Sequence, residues 1–442
     1  MKEFINIASY QVPVTATVDV CVVGGGPAGL AAAIGASRVG LSVMLIEKNG
    51  YCGGATVSGL SGTICGLYSS GDQPEQLVFG FADEIYQALK AKNGVTAPVP
   101  FGKTALIPHD TFVWKDVADE LLAEARCEVL YHTQFLKAIK DQKGNVSHLL
   151  LHAPEGQMAV ATKYVVDASG DAAVVADMQG ATYMGNQGIV QTPTMMFKMG
   201  NVDTDAFLKI SPEAMCKAVA KADKSGRYRL PRHHVYCFVL PNSREVLCNM
   251  TRITYPDGRI PVGISSKDMT FAEVEGRRQA REYSRFLQDT FDAFGEAYLV
   301  ETGNQVGIRQ TRSIRGKACL RNHDVIHAVK SENAITHSAW PIEAHGAGKL
   351  KIAYLENDHY DIPFEVMVPE KAANVLVAGR AICAEHEALA SARVTAQCFG
   401  MGYAAGAAFG LAKQAHIDLD ELSGKMVNQW MKEQKLKGSH ER

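Results

Sequence analysis

This chain of 442 residues lacks an excess of charge of either sign. Its 45 lysines and arginines nearly balance its 47 aspartates and glutamates, so the formal net charge is −2, and no long run of one sign occurs. Nucleic acids and anionic membranes bind clustered positive charge, which is missing here. We therefore expect a small-molecule partner and no binding to nucleic acid.

Paired cysteines and long apolar runs are missing as well. The ten cysteines stand singly, without the CxxC spacing of zinc sites, iron–sulfur clusters and redox-active disulfides, so we predict no metal site. No stretch approaches the roughly 18 apolar residues that span a bilayer, and the first ten residues have no apolar signal core. Scattered thiols are typical of a reducing compartment. We expect an unexported, cytoplasmic protein without a membrane span.

What the sequence does contain begins with a β-α-β pattern. Residues 18–23 (VDVCVV) form a β-branched apolar run, residues 29–39 are small and favour a helix, and residues 42–47 predict a second strand. The intervening GGGPAG fits G-x-G-x-x-G between a strand and a helix. This context predicts a dinucleotide-binding fold.

Each glycine of that loop has a physical role. Gly24 permits a tight turn, Gly26 lets the backbone approach a diphosphate, and Gly29 lets the helix pack on the strand. The helix N-terminus offers N–H groups and partial positive charge to the phosphates. Glu47 follows about 20 residues later, where a carboxylate can bind both ribose hydroxyls. FAD and NAD both fit such a loop, so the choice between them depends on the rest of the chain.

Later segments suggest how the chain is divided. Strand-like periodicity with two turns over residues 127–166 predicts a β-meander inserted in the sheet, and a charged helical pattern over 271–294 indicates a separate mixed module. Residues 374–378 (NVLVA) then resume the first pattern. We predict an α/β fold in two parts: a Rossmann-like domain over 1–190 and 321–442, and an inserted α+β substrate or cap domain over 191–320.

Several segments resemble a known family. Residues 163–180 (KYVVDASGDAAVVADMQG) and 374–406 (NVLVAGRAICAEHEALASARVTAQCFGMGYAAG) resemble the second and third FAD-contacting segments of FAD-dependent oxidoreductases related to fumarate reductase and glutathione reductase flavoproteins. The segments at 53–60 (GGATVSGL), 307–316 (GIRQTRSIRG) and 360–369 (YDIPFEVMVP) extend the likeness in order over most of the chain. The resemblance implies a glutathione-reductase-type fold and FAD as the cofactor.

The same resemblance implies which residues contact FAD. The glycine loop and Glu47 would hold the ADP half, residues 53–55 would line the flavin side, and the backbone of Leu136 would lie near the adenine. Many flavoproteins end the third segment with Gly-Asp, whereas this chain has Gly379-Arg380, so the partner of the ribityl chain is open and Arg380 can contact the diphosphate instead. The predicted cofactor-binding residues are Gly24, Gly26, Pro27, Ala28, Gly29, Glu47, Lys48, Gly53, Gly54, Ala55, Leu136, Ala168, Gly170, Asp171, Gly379, Arg380 and Arg393.

Three residues are candidates for catalysis. His345 and His386 lie in loops that the resemblance puts beside the flavin, and an imidazole titrates near neutral pH, so either can be the base. Arg393 and the helix after it can stabilise the reduced flavin anion. Glu343 is a weaker candidate. A loop histidine is also commonly a structural group, and Arg393 can equally form an ordinary salt bridge.

An arginine cluster has two interpretations. Arg309 and Arg312 stand three residues apart and can face one side of a strand or helix turn, where they would clamp a carboxylate. With Arg315 they can equally form ion pairs at a domain interface or a solvated ridge.

These features together predict an FAD-dependent dehydrogenase, oxidase or reductase that moves a hydride between a small organic substrate and the flavin. A flavin monooxygenase is one alternative, and a non-catalytic flavin-binding protein is another. A second G-x-G-x-x-G is missing, so we expect no dedicated NAD(P)H domain. O2, a quinone, a carrier protein and NAD(P)H all remain open as the electron partner, as do the oligomeric state and the substrate.

Overall fold

The structure is a computed structural model that describes residues 10–346, 350–371 and 374–434. Within these ranges the strands are β1 (Val14–Val23), β2 (Val43–Ile46), β3 (Thr63–Ile64), β4 (Val99–Phe101), β5 (Thr104–Pro108), β6 (Glu128–Leu130), β7 (Gln134–Lys140), β8 (Val146–Ala153), β9 (Gly156–Asp167), β10 (Thr182–Met184), β11 (Phe197–Gly200), β12 (Tyr236–Val239), β13 (Val246–Asn249), β14 (Tyr298–Thr302), β15 (Arg312–Ile314), β16 (Ala334–Ser338), β17 (Ile342–His345), β18 (Leu350–Ala353), β19 (Tyr360–Pro363) and β20 (Val375–Val377).

The helices in the same ranges are α1 (Pro27–Arg38), α2 (Phe81–Ala91), α3 (Thr111–Glu124), α4 (Ala173–Asp177), α5 (Thr204–Phe207), α6 (Pro212–Lys224), α7 (Ser266–Thr290), α8 (Asn322–Ile326), α9 (His386–Ala392), α10 (Thr395–Ala415) and α11 (Gly424–Glu433). No helix among the described residues is long and apolar enough to cross a membrane.

A seven-stranded mixed sheet contains the predicted β-α-β unit. Strand β1 pairs in parallel with β2 on one side and with β9 on the other. The far edge of β9 pairs antiparallel with β8 along its first half and in parallel with β20 at its last three residues. Strand β9 therefore belongs both to the parallel sheet and to the predicted meander β7-β8-β9. The chain has a mixed α/β fold with a parallel-stranded sheet.

This topology brings four loops to one place. The carboxyl ends of neighbouring parallel strands lie at the same edge of a sheet, which is where doubly wound proteins bind ligands. Here that edge collects the loops after β1, β2, β9 and β20. The glycine loop, Glu47 and the two later FAD-like segments meet there, although up to about 350 residues separate them in sequence.

Glycines let α1 and α10 pack closely against each other. A Cβ added to Gly402 would lie 1.9 Å from the carbonyl oxygen of Ala28, and one added to Gly406 would lie 2.3 Å from that of Ala32. From the other helix, a Cβ on Gly35 would lie 2.7 Å from the carbonyl oxygen of Tyr403. These distances are below any normal contact, so the backbones touch because side chains are missing.

We expect Gly402→Val to destabilise the protein. Replacing glycine in a helix interior normally stabilises the helix by up to about 1 kcal/mol. Here the added atoms would force the helices apart, and overpacking of this kind costs about 1–3 kcal/mol or more. Urea denaturation should show a lower midpoint for Gly402→Val, while Ala415→Val at the exposed end of the same helix should change it little. If Gly402→Val has the same urea midpoint as the unmodified protein, the close packing of the two helices is wrong.

A second sheet forms a separate layer. Strands β12, β13, β11 and β14 pair antiparallel in that order. Side chains from this sheet and from helices α6 and α7 share a hydrophobic cluster that includes Phe197, Val219 and Tyr283. The limits of the domain predicted over 191–320 stay a prediction.

The charged helix of this layer differs from its predicted bounds. It begins at Ser266, five residues before the predicted start at residue 271, because the side chain of Ser265 accepts a hydrogen bond from the N–H of Asp268 and caps it. It ends at Thr290, and the predicted last turn is instead a short 3₁₀ helix over Asp292–Phe294.

Candidate active site

A cleft of about 1220 Å3 opens at the carboxyl edge of the parallel strands. Most residues predicted to bind the cofactor line it. They are Gly24, Gly26, Pro27, Ala28, Glu47, Lys48, Gly54, Ala55, Ala168, Gly170, Asp171, Gly379, Arg380 and Arg393. Four distant segments of the chain therefore meet in one wall.

Three other predicted residues lie outside that wall. Gly29 is behind the loop, where an added Cβ would lie 1.8 Å from the carbonyl oxygen of Gly24, so its role is close packing. Gly53 lies beside the loop and donates its N–H to the carbonyl of Gly25 at 2.7 Å. Leu136 lies in β7 with 40% of its surface exposed, and its assignment to the adenine stays a prediction.

The glycine loop leaves room for phosphate at the start of α1. Gly24 has φ of 100°, a left-handed conformation that favours glycine. Gly26 is the N-cap of α1, and an added Cβ there would meet only the Cα of Gly54, at 3.9 Å, among the described atoms. The helix begins at Pro27 without a side-chain cap among the described residues. Its first N–H groups are thus left to an anionic ligand.

Glu47 is fixed in the cleft wall by backbone donors. Its Oε2 accepts a hydrogen bond from the N–H of Gly25 at 2.7 Å, and its Oε1 accepts one from the N–H of Asn49 at 2.8 Å. The side-chain amide of Asn49 also donates to Oε1 at 2.8 Å, so Oε2 keeps the further lone pair for a ribose hydroxyl.

Arg380 ties the third segment to the second. Its Nη2 lies 2.8 Å from Oδ1 of Asp171, and its Nε donates to the carbonyl of Gly170 at 2.8 Å. A further hydrogen bond joins Nη1 to the carbonyl of Ile308. The arginine in place of the usual aspartate therefore has three protein partners and still lines the cleft.

The sequence patterns did not single out several residues of the cleft. Asn49 stands two residues after Glu47, and the glycine-flanked segment GNQVG at 303–307 was a weak signal for backbone close to a ligand. The further lining residues are Asn49, Thr56, Ser58, Gly59, Ser61, Cys65, Ser169, Gln305, Val306, Gly307, Ile308, Ala378, Val394, Thr395 and Cys398.

A second cavity of about 810 Å3 adjoins the cleft, and Glu47 is not among its lining residues. The two spaces share the wall residues Ala55, Gly59, Ser61, Cys65, Gly307, Ile308, Arg393 and Val394. The second cavity adds polar residues of its own, among them Arg309, Glu343 and His345. A molecule bound there would touch a ligand that fills the cleft.

His345 and Glu343 form a hydrogen-bonded pair in the wall of the second cavity. The Nε2 of His345 lies 3.0 Å from Oε1 of Glu343, and both side chains are largely buried on β17. Burial and then the charge of Arg309 hold the pKa of His345 well below 6.5. Burial alone would raise the pKa of Glu343, but the hydrogen bond from His345 and the nearby arginines lower it from 4.5. The pair is a neutral imidazole beside a carboxylate.

His386 has different surroundings. It lies at the start of α9 and lines neither the cleft nor the second cavity as described. Its carbonyl accepts a hydrogen bond from Nε2 of Gln191 at 3.3 Å, and burial lowers the pKa of its imidazole. Of the two candidate bases, the structure brings His345 to the cavity.

Arg393 lines both spaces. Its Nη2 donates to Oε1 of Gln191 at 3.1 Å, and its buried Nε has no hydrogen-bond partner among the described residues. Burial lowers the pKa of Arg393 to about 10, so it is positively charged at neutral pH. Helix α10 begins two residues later, and Val394 and Thr395 at its start line the cleft. A cation and a helix N-terminus therefore share this end of the cleft.

Arg309 and Arg312 do not line the same space. Arg309 lines the second cavity with 8% of its surface exposed. Arg312 turns away, and its Nε donates to the carbonyl of Asp171 at 2.8 Å. Arg315 is exposed and stacks over the ring of Tyr183. A clamp made by Arg309 and Arg312 is therefore wrong, because the side chain of Arg312 bonds the backbone of Asp171 while that of Arg309 lines the second cavity.

The fold and the site define a dinucleotide-binding protein. A glycine loop at a helix N-terminus, a fixed acid after the second strand and a cleft across the carboxyl edge are the features of that class. The chain belongs to the FAD dependent oxidoreductase family, which matches residues 19–431. It is a flavin-dependent enzyme, and its cofactor is FAD. The narrower relation to fumarate reductase and glutathione reductase stays a prediction.

Solved structures offer more distant likenesses. The chain is similar to a geranylgeranyl bacteriochlorophyll reductase-like protein from Thermoplasma acidophilum, with 14% identity, 96% of this chain and 85% of that chain covered, and a TM-score of 0.49. It is also similar to p-nitrophenol 4-monooxygenase from Pseudomonas putida, at 12% identity, 94% and 84% coverage and a TM-score of 0.47. A flavin-dependent brominase is similar at 14% identity, with 95% of this chain and 83% of that chain covered and a TM-score of 0.46. No curated protein matches the sequence significantly.

Proposed function

We propose that this enzyme transfers a hydride between a small organic substrate in the second cavity and FAD in the cleft. One observation carries the proposal: the two spaces share a wall that includes Arg393, and the His345–Glu343 pair lines the second cavity. Bound FAD would supply the two-electron chemistry. The protein must then orient the substrate, accept a proton and balance charge.

The cleft fits FAD by its shape and its donors. The open space over Gly26 and the uncapped start of α1 suit a diphosphate, and Glu47 suits the ribose next to it. The glycine loop and Glu47 would hold the ADP half, and residues of the shared wall would border the flavin half. We assign this arrangement to a glutathione-reductase-type FAD domain formed by residues 1–190 and 321–442, with residues 191–320 covering the substrate.

His345 is the proton acceptor in this proposal. Oxidation of a C–H bond next to an O–H or N–H group removes a hydride from the carbon and a proton from the heteroatom. With Nε2–H donating to Glu343, the lone pair of His345 is on Nδ1, which can take that proton. Glu343 would hold the tautomer and stabilise the imidazolium.

Arg393, which lines both spaces, balances charge in this proposal. Its partly unpaired guanidinium and the N-terminus of α10 lie on the same stretch of cleft wall. Both favour a cofactor that becomes more negative on reduction. A neutral residue at position 393 should therefore lower the flavin reduction potential.

The test of the proposal is spectroscopic. The purified protein should be yellow, and acid precipitation should release FAD. Anaerobic addition of amines, hydroxy acids, alcohols and saturated acids should identify a compound that bleaches the visible flavin band. If FAD is bound but only NADPH bleaches it, and oxygen enters the product, the enzyme is a monooxygenase and the hydride proposal is wrong.

The pH dependence gives a second check. A base works only when unprotonated, so its activity is lost as the pH falls through its pKa. Because the pKa of His345 lies well below 6.5, the rate of flavin reduction by substrate should stay nearly level from pH 8 down to about pH 6. Anaerobic stopped-flow measurements over this range would show it. An inflection near pH 6.5 would contradict the assigned environment of His345.

A further inference from the structure

Positive charge exceeds negative charge around the second cavity. Arg309 and Arg393 line it, and Glu343 is the one carboxylate among its described lining residues. A third guanidinium, that of Arg232, lies just behind the wall, where its Nη1 donates to the lining residue Asn249 at 2.6 Å. None of the three arginines forms an ion pair with a described carboxylate. Burying cations without counter-charge is costly, so a ligand is expected to supply it.

Arg309 has unused hydrogen-bonding capacity. Among the described residues its hydrogen-bond partner is the carbonyl of Thr192, which accepts from Nη1 at 2.7 Å. A guanidinium carries five N–H donors in a planar fork, so the remainder is available to the cavity. Burial and the charges of Arg232 and Arg393 lower the pKa of Arg309, and the carboxylate of Glu343 opposes this in part.

FAD does not account for this charge. Arg309 lines the second cavity but not the cleft, and the same is true of Asn249 and Tyr236, which contact Arg232. Arg393 alone borders both spaces. Arg309 is therefore directed to the substrate side, and Arg232 lies behind the wall of the same cavity.

Another part of the cavity wall is apolar and aromatic. The rings of Phe101 and Trp340 stack with centroids 5.0 Å apart, and Tyr236 lies 4.9 Å from Phe101. Met196, Leu106 and Phe238 complete this wall. A ligand for both walls has an anionic end and an apolar body.

We infer that the substrate of this enzyme is an organic carboxylate with an apolar or aromatic body, and that Arg309 binds its carboxylate. This inference rests on the proposed function, because it names the occupant of the same cavity. Arg309 forms a charge-assisted fork with the carboxylate, the aromatic wall packs against the body, and the carbon to be oxidised lies between His345 and the shared wall.

The experiment compares probes that differ in charge alone. Benzoate and benzamide have nearly the same shape, and so do hexanoate and hexanamide. Isothermal titration of the FAD-loaded enzyme should give a Kd for the better carboxylate that is roughly 10- to 100-fold below that of its amide. Binding should also perturb the visible flavin spectrum, since the cavity borders the cleft.

The matched variants are Arg309→Gln and Arg315→Gln. Arg309→Gln should remove most of the preference for the carboxylate while leaving the amide affinity and the bound FAD unchanged. Arg315→Gln changes an exposed arginine of the same segment and should have no effect. Equal affinities for the two probes, retention of the preference in Arg309→Gln, or no carboxylate binding at 10 mM would each overturn the inference.

These outcomes are separable from failure of the proposed function. Loss of the proposed function would appear as protein without FAD, or as FAD that no organic substrate reduces. The probe experiment measures binding to FAD-loaded protein and needs no turnover. Carboxylate selectivity without reduction would support the inference and reject the hydride transfer.

Discussion

Gly26→Glu should yield a colourless protein that folds but does not retain FAD. An added Cβ at Gly26 meets nothing closer than 3.9 Å, so the backbone can accept a side chain there. A glutamate would, however, place a carboxylate at the start of α1, where the diphosphate is expected. Like charges at such a contact cost several kcal/mol, which corresponds to a loss of affinity of at least about 100-fold. Visible absorbance would measure the bound FAD, and an FAD titration of the apoprotein would measure the loss of affinity.

Two further substitutions show whether the charge or the size of the glutamate causes the loss of FAD. Gly26→Ala should stay yellow, because the site has room for one methyl group. Gly26→Gln has nearly the size of glutamate without its charge and should retain more FAD than Gly26→Glu. If the Gly26→Glu protein is yellow and its circular dichroism is like that of the parent, the assignment of the diphosphate to this loop is wrong.

His345→Ala should slow flavin reduction by substrate roughly 100- to 10,000-fold, the usual contribution of a positioned general base. The FAD content should be unchanged, because His345 lines the second cavity and not the cleft. Anaerobic stopped-flow measurement of the reduction rate would show the effect, and added imidazole should restore part of it. Loss of rate with normal FAD content distinguishes a role in proton transfer from a role in folding.

His152→Ala is a suitable control, since His152 is exposed on β8, away from both spaces. His386→Ala tests the other candidate base. A larger loss of rate for His386→Ala than for His345→Ala would reverse the assignment of the base and would mean that α9 moves toward the cavity when substrate binds.

The nucleotide cleft could be predicted because its signals are local. A glycine loop is a run of neighbouring residues, and Glu47 lies at a spacing fixed by one helix and two strands. Their geometry follows from the β-α-β unit wherever that unit occurs. The bounds of α7 could be predicted less well, because its start depends on a cap by Ser265 that periodicity does not include.

The second cavity could not be predicted in the same way. Its wall combines Phe101 from β4, Tyr236 from β12, Arg309 from a loop, and Trp340 and His345 from the region of β17. Spacing rules describe side chains within one element and say nothing about which elements face each other. The same limit explains why the carboxylate clamp was wrong. The three-residue spacing of Arg309 and Arg312 suggested that they share one face, but their side chains have different partners.

The sequence by itself determined the dinucleotide loop and its acid, since those depend on backbone freedom and short-range order, and the resemblance of later segments to a family implied FAD. Only the tertiary structure decided which of the two candidate histidines reaches the cavity, and which of Arg309, Arg312 and Arg315 lines it. These facts depend on the direction of each side chain after distant segments have packed. Packing is a property of the whole chain, and for that reason the substrate side of this enzyme becomes visible only in the folded protein.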